Sequence, residues 1–465
     1  MLDVKESRDI YQSEFQQLKE AENTPSWLLP RRQAAIDRFL ALGFPTTRDE
    51  EWKYTNVAPI AKTAFEQAGT VETRVTNEDI GDYLLDATFC RLVFVNGRYS
   101  AELSSAAALP DGVKVCSLAD AMQTEQTLVE THLAKYADYE NQAFTALNTA
   151  FMQDGTFVFV PRGVIVRTPI HLLFVSSANG RAIISHPRNL IVCEANSQVS
   201  VIESYAGLDS GKYFTNTVTE FVAGENAVID HYKVEQESDD AYHVTTRQIY
   251  QERDSNVSSH TVTYSGGLIR NDVNTVLDGE GCNCMLNGLY VLRGSQHADH
   301  HLRVDHAKPH CNSWEYYKGI LSDQSRGVFT GRIIVREDAQ KTDAKQSNMN
   351  LLLSPDALVD TKPQLEILAD DVKCTHGATI GQIDEDAIFY LRSRGIREEA
   401  ARSLLTYAFA GESLGQVRIE PLRERLLDLL STRLPHGQSL RFGRPFEYDD
   451  DFSKIVRSAD KRRET

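Results

Sequence analysis

Four ten-residue stretches, SQVSVIESYA at 197–206, ENAVIDHYKV at 225–234, SNVSSHTVTY at 255–264 and CNCMLNGLYV at 282–291, begin 28, 30 and 27 residues apart. A strand unit that returns at a near-constant step is the mark of a solenoid, in which each coil covers its apolar face only by stacking on the next. The third and fifth positions are mostly apolar or small (Val199 and Val201, Ala227 and Ile229, Cys284 and Leu286), as sites turned to the inside must be, with Ser259 the exception. A β-helix satisfies both the step and the alternation. Upstream, GTFVFVPRGVIVRTPIHLLFV at 155–175 has the same Val, Ile, Phe and Thr texture between turn residues.

Outside this core the apolar period lengthens to three and four. ESRDIYQSEFQQLKEAE and RRQAAIDRFLALGF, with Ile36, Phe39 and Leu40 on one side, predict two helices, the second ended by Pro45. Trp52 and Tyr54, in the charged stretch RDEEWKYTNVAPI, read as buried anchors. After Ile380, Asp384 is placed to cap a helix, Leu404, Leu405, Ala408 and Phe409 form one stripe, and Pro421 stands at a permitted first-turn position. The expected organisation is mainly β with helical ends. It comprises an N-terminal helical and mixed region over 1–145, a β-helix core over 146–382, a C-terminal helical region over 383–435 and a charged tail over 436–465 without regular structure.

The totals narrow the function. A chain of 465 residues exceeds the size at which one core stops growing, so two or three structural regions are expected. Lys and Arg number 49 against 66 Asp and Glu, a net charge of −17 that repels nucleic acid and anionic membrane surfaces alike. No apolar run approaches the roughly 18 residues of a membrane span. The first residues also lack the basic-then-apolar pattern of a leader, so a cytoplasmic protein is expected. Seven cysteines, an odd number spread from Cys90 to Cys374, argue for reduced thiols over a disulfide framework.

Three motifs imitate known chemistry and fail on context. AGLDSGKY at 206–213 has Ala206 where a phosphate loop needs glycine and Tyr213 where it needs a small hydroxyl, so ATP chemistry must come from another chain. GESLG at 411–415, followed by Asp428 and His436, copies the order of a hydrolase triad, but Ser413 follows a helix instead of a strand, and helix termination at Gly411 is the simpler reading. Asp278, Glu280 and Arg293 are the groups a carbohydrate-active β-helix enzyme would use, at a spacing no different from solvated surface charge.

Two stretches carry metal-type donors. HADHHLRVDHAKPHC at 297–311 concentrates His297, His300, His301, His306, His310 and Cys311, suited to iron or zinc, although their spacing matches no closed site and a polar edge of a β-helix has the same look. DDVKCTHGATIG at 370–381 fits the repeat if Asp370 is first, which makes Val372 third, Cys374 fifth and His376 seventh on one strand face. Its plain structural reading is a coil with a small core thiol and a histidine at the rim.

From His297 through HCNSWEYYKGILSDQSRGVFTGRIIVREDAQKTDAKQSNMNLLLSPDALVDTKPQLEILADDVKCTHGATIGQIDEDAIFYLRSRGI the chain resembles the SufB/SufD family of iron–sulfur cluster assembly proteins. WLLPRRQAAIDRFLALGF and DEEWKYTNVAPI are similar to the SufD rather than the SufB branch, and the resemblance runs to about residue 435. It implies a subunit without its own turnover, with a right-handed parallel β-helix between helical regions. It also implies pairing with SufB through the β-helices, SufC, an ABC-type ATPase, on the C-terminal helices around Arg392, Arg394, Leu404, Leu405 and Phe409, and sulfur from a cysteine desulfurase system.

The family's K-C-[ST]-H-G pattern falls on Cys374 and His376, where a sister chain's cysteine would approach, with His306 and His310 as further iron contacts. A nascent cluster would be held transiently in the complex, with no cofactor bound tightly by the isolated chain and a flavin in the complex left open. A SufB-like homodimeric scaffold is the alternative within the family.

Overall fold

The computed structural model describes residues 4–21, 24–70 and 73–434, so the expected tail lies outside the described residues. From Gln198 onward, strands of nine to eleven residues alternate between two sheets, and from Tyr213 each lies parallel to the strand two before it in the chain. The first sheet runs from Thr156–Val160 and Arg188–Cys193 to Arg326–Val335 and Leu358–Ile367; the second runs from Ile170–Ser176 and Gln198–Gly207 to Asp343–Leu352 and Lys373–Gly381. This is a parallel β-solenoid.

Register fixes the true repeat. Gln198, Val228, Asn256, Asn283, Asn312, Asp343 and Lys373 are successive partners in the second sheet. The frames drawn from Glu225 and Asp370 therefore begin two residues early, and Cys374 is third and His376 fifth in its coil. For the frame from Glu225 the cause is polarity inside the solenoid: His231, Lys233 and Glu235 occupy inward positions and hide the alternation that Ala227 and Ile229 suggest. A slip of two leaves every side chain on its original face.

Every passage into the second sheet from Gln198 to Asp343 turns through one left-handed residue: Asn196, Asn226, Asp254, Gly281, His310 and Lys341. Their N–H groups donate to the carbonyls of Glu225, Arg253, Glu280, Pro309, Gln340 and Asp371 on the following coil, at 2.7–3.2 Å. Most of these residue types tolerate that backbone region, so the corner is a second repeat laid over the strand repeat.

Inside, the apolar core is interrupted by buried polar groups. Phe94 stacks on Phe174 at 4.7 Å and Phe174 on Tyr205 at 4.8 Å. Further along, the buried Lys233 ammonium donates to Glu235, Thr245 and Asn271 at 2.6, 2.5 and 2.7 Å. Ser259 breaks the apolar pattern because its hydroxyl accepts from the buried Arg247 at 2.9 Å. A buried charge needs such partners.

Helices cover both outer faces. Ala143–Phe151 is buried along its length against the first sheet, and Trp52 lies over the Arg270 guanidinium at 4.3 Å. Leu29–Leu42 ends at Gly43, whose N–H reaches the Phe39 carbonyl at 2.7 Å, two residues ahead of Pro45. The C-terminal helices pack on the second sheet, where the Tyr264 hydroxyl donates to the Leu426 carbonyl at 2.6 Å. Glu398–Leu414 continues through Gly411, since the Gly415 N–H still bonds the Gly411 carbonyl at 2.8 Å. Strands Cys90–Val95 and Arg98–Ser105, from the stretch assigned on sequence to the N-terminal region, extend the second sheet beyond Ile170–Ser176. At the opposite end the described residues add no such cover.

Candidate functional site at the open end of the solenoid

Among the described residues, Leu358–Ile367 and Lys373–Gly381 are the last strands of their sheets, each with a partner on one side only. Their outer edges present unpaired N–H and C=O groups, a template for another chain. Apolar side chains ring this end: Leu358, Ile367, Leu368 and Ile380 are all exposed, Leu368 by 67%.

Cys374 and His376 belong to inward columns of the second sheet. The positions stacked behind Cys374, namely Ala344, Ser313, Cys284 and Val257, are buried, and so are Gln346 and Glu315 behind His376. On the last coil no described residue lies above these columns, and Cys374 is half-buried and His376 exposed. Their Cα atoms are about 7 Å apart, two residues along one strand. Cys374 packs beside Ile333, Val335, Ala339 and Ala369, and this burial pushes its thiol pKa up, with Asp343 adding to the effect. The thiol is thus stored in its protonated form until a cation or a base arrives.

Directly behind His376 the Gln346 amide donates through Nε2 to Glu315 at 2.5 Å. Burial pushes the Glu315 carboxyl up to about 7, against the lowering effect of that amide.

The other histidines are separated by strand alternation. His300 and His306 face inward: His300 stacks on Tyr290 at 5.0 Å, and His306 bonds the Ser313 hydroxyl at 2.9 Å with its pKa lowered by burial to about 4. His297 and His301 face outward, reaching Thr55 at 2.9 Å and Glu51 at 3.2 Å. His310 is an exposed corner residue and Cys311 a buried one, whose thiol donates to Gly279 at 3.2 Å. His306 and His310 lie two coils from Cys374, roughly 10 Å along the axis. Among the described residues, no three His, Cys, Asp or Glu side chains converge to hold a metal ion. Any metal bound at Cys374 and His376 needs further ligands from outside.

The C-terminal candidates divide by contact. Leu405 and Phe409 pack toward the second sheet, where Lys318 lies over the Phe409 ring at 4.3 Å, and Leu404 is half-buried. Arg392 pairs with Glu398 at 3.2 Å, and Arg394 lies over the Tyr390 ring at 5.1 Å. The helix Glu385–Ser393 presents Phe389, 72% exposed, and Tyr390 to solvent. The stripe rule passed over this pair because adjacent aromatics do not make a helical stripe. Asp278 and Glu280 stand at one corner and Arg293 beyond the far end of the strand Asn283–Leu292, roughly 30 Å away, so they form no common groove.

A parallel β-solenoid with helices on both faces and one open, donor-bearing end defines a scaffold architecture. Residues 174–409 match the SufBD core domain of the SUF system for FeS cluster assembly, and residues 4–172 match the SufBD N-terminal region. An iron–sulfur cluster assembly SufBD family protein of Synechocystis is 36% identical over 432 residues, 90% of this chain and 95% of that one. The iron–sulfur cluster assembly protein SufD of Escherichia coli is 34% identical over 433 residues, 91% of this chain and 97% of that one, and SufD of Bacillus subtilis is 27% identical over 439 residues, 91% and 98%. The chain belongs to the SufBD family and is a component of iron–sulfur cluster assembly.

Proposed function

We propose that this chain is a non-enzymatic, cytoplasmic subunit that pairs with SufB across the open end of its solenoid. Cys374 and His376 then form one half of a shared site where a nascent cluster is built from delivered iron and sulfur. The carrying observation is that the two donors lie on inward columns of the final coil, beside two unpaired strand edges and an exposed apolar rim. A thiolate and an imidazole suit iron, and the remaining ligands fall to the sister chain.

The ATPase SufC, in this reading, docks on the C-terminal helices with Phe389 and Tyr390 as apolar anchors. Lys318 ties those helices to the strand Asn312–Leu321, donating to the Phe409 carbonyl at 2.9 Å and to Glu412 at 2.6 Å. The same strand carries Glu315 behind the candidate site, so a pull on the helices has a rigid route to the open end.

Co-expression tests the pairing. A proline at Ala378, Ala378→Pro, placed where the N–H of the edge strand points away from its one neighbour, should abolish capture of SufB by the tagged chain while leaving the melt of the isolated protein close to wild type. Undiminished capture would refute edge-to-edge pairing. If the tagged wild type instead captures a second copy of itself and no sister chain, the homodimeric scaffold replaces this reading.

A further inference from the structure

The polar column behind the open end finishes on an unanswered oxygen. Glu315, Gln346 and His376 are successive register partners, so their side chains stack on one face of three adjacent strands. Glu315 accepts from Gln346 Nε2 at 2.5 Å. In a carboxamide the oxygen and nitrogen diverge from one carbon, so with Nε2 bound to Glu315 the oxygen is turned away from that carboxyl. That oxygen is buried and has no hydrogen-bond partner, which is an anomaly in a folded interior. Gly331, on the facing strand, makes room for the amide, because a Cβ there would collide with Gln346 Nε2.

We propose that Gln346 is the positioning residue of His376. When a partner covers the open end, the imidazole turns inward and donates one ring N–H to Gln346 Oε1. The other ring nitrogen is left unprotonated and directed at the shared site. Glu315 holds the amide in this sense through the bond it accepts from Nε2. Backing of this kind fixes both the tautomer and the aim of a ligating histidine. The inference rests on the reading of Cys374 and His376 as half of a shared site.

The test reads the ring itself. In the full chain purified with its sister subunit and labelled with nitrogen-15 histidine, the signals lost in His376→Ala identify the ring, and wild type should show a single tautomer. Gln346→Met, of similar length, should show a mixture of both tautomers and retain ferrous iron about tenfold more weakly. Gly331→Ala, which displaces the amide without altering it, should do the same and guards against a folding defect in the first variant. Unchanged ring signals and unchanged iron retention in both variants would overturn the proposal. Failure of the parent reading looks different: His376→Ala would then hold as much iron as wild type.

Discussion

Arg188 and Glu220 meet at 2.6 Å with no exposed surface on either side chain. Glu220 also accepts the N–H groups of Ala134, Tyr136 and Ala137 at 2.8, 2.9 and 3.1 Å, so this pair fastens the segment ahead of the helix Ala143–Phe151 to the solenoid wall. Burial pushes the carboxyl up, but Arg188 and the backbone donors outweigh it and hold its pKa below the ordinary value. Glu220→Ala strands a buried guanidinium and should cost about 3–5 kcal/mol by urea unfolding. Because the folded pKa is depressed, this carboxylate's contribution is present above the ordinary carboxylate range and is lost as pH falls through the folded value. Acid unfolding of wild type should therefore show a component that Glu220→Gln lacks.

Glu315 predicts the opposite slope. Its folded pKa of about 7 lies above the ordinary 4.5, so the folded state holds a proton that the unfolded state has released. Stability should fall as pH rises through that window and level off beyond it. Glu315→Gln removes the titration and should be more stable than wild type at alkaline pH, by up to about 3 kcal/mol. The advantage should vanish near the acid end of the window, and a pH series of urea midpoints reads it directly.

On the C-terminal helices, exposure and packing predict different phenotypes. Phe389→Asp changes a side chain that is 72% exposed, so the melt should move by less than about 0.5 kcal/mol while capture of the ATPase falls. Leu405→Asp places charge against the second sheet and should unfold the helical region, at a cost of about 2–5 kcal/mol. Equal ATPase capture by wild type and Phe389→Asp would exclude this face as the docking surface.

The solenoid was readable because stacking imposes a length on every coil, and that length survives when residue types change. Exact frames were harder to read. His231, Lys233 and Glu235 point inward yet are polar, which shifted the frame drawn from Glu225 by two residues; the frame from Asp370 slipped by the same two and left Cys374 and His376 on their proper face. The partners that make these polar residues tolerable, such as Asn271 for Lys233, sit 38 positions away, beyond any local pattern. Strand Cys90–Val95 was missed because it joins the sheet from outside the repeat. The histidine-rich stretch misled in a physical way: donors crowded in sequence are dealt to opposite faces by a strand. Nothing in the order of residues marks which coil is the last among the described residues, and that position is what brings Cys374 and His376 to the surface.

The central claim is that Cys374 and His376 work as half of a site shared between two chains. Iron and sulfide should be counted per complex after anaerobic reconstitution of wild type and of His376→Ala, each purified with its sister subunit and ATPase in equal stoichiometry. The account predicts a loss of most iron and sulfide in the variant with the complex intact. Equal counts in the two preparations would contradict it.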